Sequence, residues 1–219
     1  PGQDKGLVAA ELTLAEVMKG AGYRTAMFGK WHLGEHEEHQ PTNQGFDYAY
    51  YTLYNGGPWP WMENARYFDP DNQTIGEVPY ELDIPQDYEQ RFGVELHGIL
   101  RARRGEKPRE IEELSLEAYN RHENDLTDGI IEYIEESRKA AEPFFVYWAS
   151  NANQVFGCPP EERNEKYVDT GNCQAAQMLQ HDKNVRRIRD KLDALGIADD
   201  TLLIWVSDNG PMYSFYPSA

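Results

Sequence analysis

Two clusters of side chains in this chain have the types and spacing to bind charged, oxygen-rich groups and hard cations. In the stretch GYRTAMFGKWHLG (residues 22–34), Lys30 and His32 stand one residue apart directly after an apolar run. A lysine supplies a fixed positive charge, and a histidine supplies hydrogen bonds or a proton near neutral pH. Together they suit an anionic, oxygen-rich group such as phosphate or sulfate. The same loop also reads as a solvated turn with one structural histidine. The second cluster is Asp208-Asn209, where a carboxylate and an amide oxygen follow the apolar run TLLIWV. Hard oxygen donors of this kind suit calcium or magnesium. Asn-Gly is also a hairpin turn, but PMYSFYPSA beyond it lacks the alternation of a returning strand.

Three units of one order, helix then strand then polar loop, must position these residues. Thr13-Leu-Ala-Glu16 is a capping box that opens a helix running to about Gly20, with Gly22 suited to the left-handed position after it. Residues 23–28 read as a buried strand, and Gly29 as a turn into the GKWH loop. In the second unit Leu126, Ile130, Ile131 and Ile134 have helical spacing from about Asp125. Pro143 closes that helix, and FFVYWA (144–149) reads as a strand leading into SNANQ. In the third, Val185, Ile188, Leu192 and Leu195 mark a helix face that Gly196 stops, and residues 201–206 read as a strand opening into SDNG. All three strands are continuously apolar, as expected of a parallel sheet covered by helices on both faces. Ligands bind such sheets beyond the carboxyl ends of the strands, so GKWH, SNANQ and SDNG are expected at one edge.

Between units one and two, residues 35–124 show weaker periodicity and read as a substrate-shaping insertion. Trp59 and Trp61 there would either stack on a sugar or aryl group or pin the loop to the core. The basic cluster Arg101, Arg103, Arg104, Lys107 and Arg109 reads as solvated surface. Cys158 and Cys173 match no zinc spacing; they read as two free thiols, with a single bridge as the alternative. Asn72-Gln-Thr74 is a glycosylation sequon, relevant only in a eukaryotic secretory route.

With 21 basic against 38 acidic residues, the formal charge of −17 argues against general nucleic-acid binding, which needs a basic face. A local positive pocket for an anionic substrate remains compatible with it. No apolar run approaches the ~20 residues of a membrane span. Oligomeric state cannot be read from the sequence.

These residues together resemble the sulfatase family, the arylsulfatase-like members of the alkaline phosphatase superfamily. GYRTAMFGKWHLG is similar to the second sulfatase signature, LGIADDTLLIWVSDNG to the segment that delivers late metal ligands, and EHQPTNQGFDY to the Pro-Thr…Gly-Phe-Asp element. The resemblance implies an α/β fold, a mostly parallel sheet sandwiched by helices, with residues 1–219 as the central part of one catalytic domain. It implies hydrolysis of a sulfate ester on a small molecule or glycan, through a formylglycine nucleophile and Ca2+ rather than Mg2+. Lys30 would contact the sulfate and the aldehyde residue, His32 would hydrogen-bond the hydrated aldehyde, and Asp208 and Asn209 would complete the calcium site. The formylglycine motif, Cys/Ser-x-Pro-x-Arg, is matched by neither Cys158 nor Cys173, and it is expected upstream of Pro1 with the paired metal-binding aspartates. A further sulfate-gripping lysine is expected beyond Ala219. A periplasmic or secreted setting is favoured by the resemblance alone.

One departure stands out. Where the family carries Asn-Ala-Pro-His after its second strand, this chain reads Asn151-Ala152-Asn153-Gln154, so Gln154 takes the place of a leaving-group acid. A glutamine donates a hydrogen bond but gives up no proton at neutral pH. His36, His39, His97, His122 and His181 are the candidates to replace it. The alternatives are a phosphodiesterase or phosphonate-ester hydrolase on the same scaffold, or a sulfatase-like binding protein without catalysis.

Overall fold

A computed structural model describes residues 6–53, 66–69, 74–77, 98–112, 114, 116–152 and 173–209. Trp59, Trp61, Asn72, Gln154 and Cys158 lie outside the described residues, as does Gly210.

The first unit folds as its sequence signals. Helix α1 spans Leu14–Gly20, and both halves of the capping box form: Glu16 N donates to Thr13 Oγ1 at 3.1 Å, and Thr13 N donates to Glu16 Oε2 at 2.8 Å. Gly22 takes φ 88°, the left-handed conformation that lets the chain leave the helix. Strand β1 then covers Arg24–Lys30, ending two residues later than the expected strand, so Gly29 and Lys30 belong to the ladder rather than to a loop. The reason is that β1 has a neighbour on each side. It pairs in parallel with β2 (Tyr48–Thr52) and with β7 (Phe144–Ala149), in the registers Lys30↔Thr52 and Gly29↔Ala149.

The sheet continues outward from β2 through β5 (Ile99–Arg103) and β6 (Arg109–Glu112), giving the order β6-β5-β2-β1-β7. Its centre, β2-β1-β7, is parallel, and the β5 and β6 edge is antiparallel. Three of these five strands come from the weakly periodic stretch 35–124. So does a small separate ribbon of β3 (Arg66–Asp69) and β4 (Thr74–Glu77). Side chains on β5 alternate, with Arg101 and Arg103 exposed and Ala102 buried, which bears out the surface reading of those arginines.

Helices cover the sheet. One face packs Met27, Trp31, Ala49, Tyr51, Leu100 and Ala102 together with Phe46 and with Ala15 of α1. The other packs Ala26 and Phe28 against α2 (Leu116–Ala140) and α3 (Cys173–Ala194), through Leu126, Ile130, Ile134, Ile188 and Leu192. Helix α2 begins nine residues before the expected start near Asp125. Its first turns bury Ala118 and Tyr119 together with His122 and Glu123, and the last two are polar positions that a hydrophobic pattern does not flag.

The Gly-Phe-Asp element also has a scaffolding task. Asp47 accepts from Thr25 N at 3.2 Å and Thr25 Oγ1 at 3.1 Å, pairs with Lys19 of α1, and receives Arg104 Nε at 3.2 Å from the β5 and β6 hairpin. Burial pushes its carboxyl up, but Lys19 and then Thr25 hold it below the ordinary aspartate value.

One expectation fails. Residues 201–206 join no strand in the described sheet, and Leu202 is 84% and Val206 76% exposed. An apolar sequence takes a buried ladder position only where a strand stands beside it, and no described strand does.

Candidate functional site

The carboxyl end of β1 is held by backbone pairing that outlasts the strand. Trp31 N donates to Thr52 O at 2.9 Å and His32 N to Leu53 O at 2.8 Å. Trp31 is buried, its Nε1 donating to His39 O at 2.8 Å and its ring meeting Phe46 edge-on at 6.2 Å. His39 is in turn buried, its Nδ1 2.8 Å from Leu7 O, so it supports the loop rather than serving as an acid. With Trp31 anchored inward, Lys30 stays half-buried and His32 open to solvent on either side of it. His32 adopts φ 56°, a left-handed conformation unusual for a side chain of this size. Partial desolvation of the ring, and then the charge of Lys30, hold His32 below the ordinary histidine pKa. It is therefore neutral at pH 7, able to accept a proton or a hydrogen bond beside a cation.

Gly29 lies opposite Ala149 in the register, so Ser150 follows the last pair on β7 as Lys30 does on β1. Around Ser150 the structure gathers residues that motif reading did not single out as a group. Glu123 of α2 receives Ser150 Oγ at 2.8 Å on Oε2 and Asn151 N at 2.6 Å on Oε1. Burial raises its carboxyl to about 7, against the pull of those two hydrogen bonds. Ala152 N donates to Ser150 Oγ at 3.0 Å, and His181 Nδ1 of α3 lies 3.2 Å from the same oxygen. On the other side of His181, Trp205 Nε1 donates to Nε2 at 3.0 Å, while Trp148 lies 4.9 Å from the ring. Burial lowers the His181 pKa. The signal for this group was present but faint: a histidine and a glutamate on the inward faces of two amphipathic helices.

Among the described residues, buried Asn151 has no hydrogen-bond partner for either side-chain atom, and buried His122 has none for either ring nitrogen. Burial, and then the charge of Arg121, push His122 down to about 4, so it offers no proton at neutral pH.

Asp208 and Asn209 are exposed, past the segment 201–206, which pairs with no described strand. Ser207 Oγ donates to the backbone carbonyl of Asn209 at 2.6 Å, and Asp208 and Asn209 are both exposed residues. Two adjacent hard oxygen donors fit part of a divalent-cation sphere; calcium takes six to eight. Among the described residues no group of three or more His, Cys, Asp or Glu side chains forms a metal cluster. The structure thus holds Lys30 and His32 at the end of β1, has Ser150 follow β7 at the same edge, and connects Trp205, three residues before Asp208, to Ser150 through His181.

Comparison with known proteins agrees with this fold. The sulfatase family model matches residues 3–217. The chain is 28% identical over 225 residues to the arylsulfatase of Hemicentrotus pulcherrimus, covering 96% of this chain and 34% of that protein. It is 29% identical over 222 residues to arylsulfatase G of Rattus norvegicus, covering 94% of this chain and 37% of that one. It thus spans about a third of the length of these curated relatives. Among solved structures, the PsFucS1 sulfatase from Pseudoalteromonas sp. superposes with a TM-score of 0.63 at 19% identity, over 90% of this chain and 38% of that one. With its mixed sheet under helices on both faces and a family match along nearly its whole length, this chain belongs to the sulfatase family.

Proposed function

We propose that the protein to which this chain belongs hydrolyses a sulfate ester, and that Lys30, His32, Asp208 and Asn209 serve that reaction. The observation that carries this reading is the placement of Lys30 and His32 at and just past the carboxyl end of β1, where the last register pair with β7 is Gly29↔Ala149 and Ser150 follows on β7 as Lys30 does on β1. A sulfate ester reacts when charge building on its oxygens is offset, and a half-buried ammonium does so more effectively than one in bulk water. Lys30 binds the sulfate oxygens; neutral His32 beside it takes or returns a proton at the group that attacks sulfur. Asp208 and Asn209 would hold a divalent cation, calcium by the chemistry of their oxygens, and the cation when bound supplies further positive charge to the sulfate. Gln154, in place of a histidine, donates a hydrogen bond to the substrate without transferring a proton. The family nucleophile, a formylglycine, has no matching motif at Cys158 or Cys173.

The test is aryl sulfate hydrolysis by the full-length protein and its Lys30→Ala variant. Losing one preorganised donor typically costs about 10²–10³-fold in turnover. A wild-type rate in the variant overturns the assignment of Lys30. Turnover of a phosphodiester or phosphonate ester, but not of an aryl sulfate, redirects the reading to that chemistry.

A further inference from the structure

The hydrogen bonds around His181 admit one direction only. An indole N–H donates and never accepts, so His181 Nε2, 3.0 Å from Trp205 Nε1, must offer its lone pair. The neutral imidazole then carries its proton on Nδ1 and donates it to Ser150 Oγ. That oxygen also accepts Ala152 N–H, which fills both of its acceptor positions, so its own proton goes to Glu123. Asn151 N–H completes the carboxylate's other oxygen. Each donor in the chain Trp205–His181–Ser150–Glu123 meets one acceptor. This polarity excludes a nucleophilic serine, because the imidazole keeps no lone pair for the serine proton.

What the chain of bonds joins is more telling. Its inner end is a buried carboxylate on α2, and its outer end is an indole on a segment that pairs with no described strand. Trp205 is 63% exposed, so packing alone holds it weakly. Thr201 Oγ1 fastens the start of the segment to Ile197 O at 2.7 Å. Among the described hydrogen bonds, Trp205 to His181 is the one that fastens its far half to the body of the protein. Asp208 follows three residues later, within roughly 10 Å of chain.

We propose that His181 is a positioning residue for the Asp208-Asn209 pair. Acting as donor on one side and acceptor on the other, it fixes the segment carrying that pair to the loop Ser150–Ala152 at the end of β7. The inference rests on the reading of Asp208 and Asn209 as cation ligands, and it adds the device that sets their place. Partners outside a ligand shell typically tune metal affinity by 10–100-fold. His181 acts one step further away, so an effect on the order of tenfold is expected.

The experiment uses the full-length protein with calcium as the probe. Imidazole ¹⁵N shifts should show His181 neutral with its proton on Nδ1. Calorimetric calcium affinity should fall on the order of tenfold in Trp205→Phe, which keeps the ring and loses the donor. It should fall equally in His181→Phe, and the double variant should lose no more than either single one. His181→Gln, which restores an acceptor at similar reach, should recover part of the loss. The cation-free proteins should melt within about 2 °C of wild type, which a purely structural role would not allow. Asp208→Ala is the control. If it abolishes calcium binding while Trp205→Phe leaves affinity unchanged, the positioning role fails and the site reading stands. If Asp208→Ala binds calcium like wild type, the site reading itself fails. A proton found on His181 Nε2 overturns the bond directions.

Discussion

Gly29 and Ala149 face each other across the β1 and β7 ladder so closely that a Cβ on Gly29 would overlap the Ala149 carbonyl oxygen. Gly29 also sits at φ 100°, which L side chains rarely adopt. Strain of this kind costs about 1–3 kcal/mol, and the obstacle here is backbone that cannot rotate aside. Gly29→Ala should therefore lower stability by roughly 2–4 kcal/mol in denaturant unfolding. The next residue is Lys30, so surviving activity should fall more than stability does. A variant as stable as wild type would mean that β7 moves aside freely.

His32 should show its role in a pH profile. Its pKa is held below the ordinary histidine value by partial desolvation and by Lys30, so turnover should decline on the acid side as the ring protonates. His32→Ala in the full-length protein should lose about 10²-fold or more and lose that acid limb with it. An unchanged limb assigns the titration to another group.

His122 and Glu123 adjoin in sequence and oppose each other in pH dependence. His122, pushed down to about 4, binds fewer protons folded than unfolded, so its contribution is lost as pH falls from 6.5 toward 4. Glu123, raised to about 7, binds more protons folded, so its contribution is lost as pH rises from 4.5 to 7. Each amounts to about 3 kcal/mol at full extent, and their windows overlap. The wild-type stability curve should thus be nearly flat between about pH 4.5 and 6.5. Glu123→Gln should become steadily more stable as pH rises through that range, and His122→Phe steadily less. Parallel slopes in the two variants would refute the compensation.

Leaving-group dependence tests Gln154. General-acid help is typically worth about 10²–10⁴-fold, most of all for poor leaving groups such as sugar alcohols. Across a series of sulfate esters, the full-length protein should favour good leaving groups, and Gln154→His should gain selectively on alkyl sulfates. A flat series in the wild type would place an acid elsewhere; His39 and His122, buried as they are, would not be it.

What was legible in the sequence was local. The capping box at Thr13, the glycine exit at Gly22 and the strands around Lys30 and Ala149 each carry their signal within a few residues, and each forms. What escaped depends on distant neighbours. The start of α2 was hidden because it turns His122 and Glu123 inward, and burial of a polar residue is decided by what packs against it. Strands β5 and β6 were hidden under arginines, since Ile99–Arg103 alternates for only two periods. In the site, Lys30, His32, Asp208 and Asn209 drew notice through residue type and spacing. The link through Glu123, Ser150, His181 and Trp205 joins four elements far apart in the chain, and a glutamate and a histidine on two helix faces give only a faint local sign of it.

Residues 202–206 have a colloidal consequence. Leucine, isoleucine, tryptophan and valine lie in a row on the surface, beside peptide groups that no strand of the described sheet engages. Such a row is a template on which a second molecule can add its own. The net charge of −17 keeps molecules apart while their repulsion reaches across solvent. The Debye length shrinks from about 10 Å at 0.1 M salt to about 3 Å at 1 M. Added salt should therefore turn a monodisperse solution of this 219-residue chain into aggregates, the reverse of salting-in, and Ile204→Lys should suppress it in light scattering.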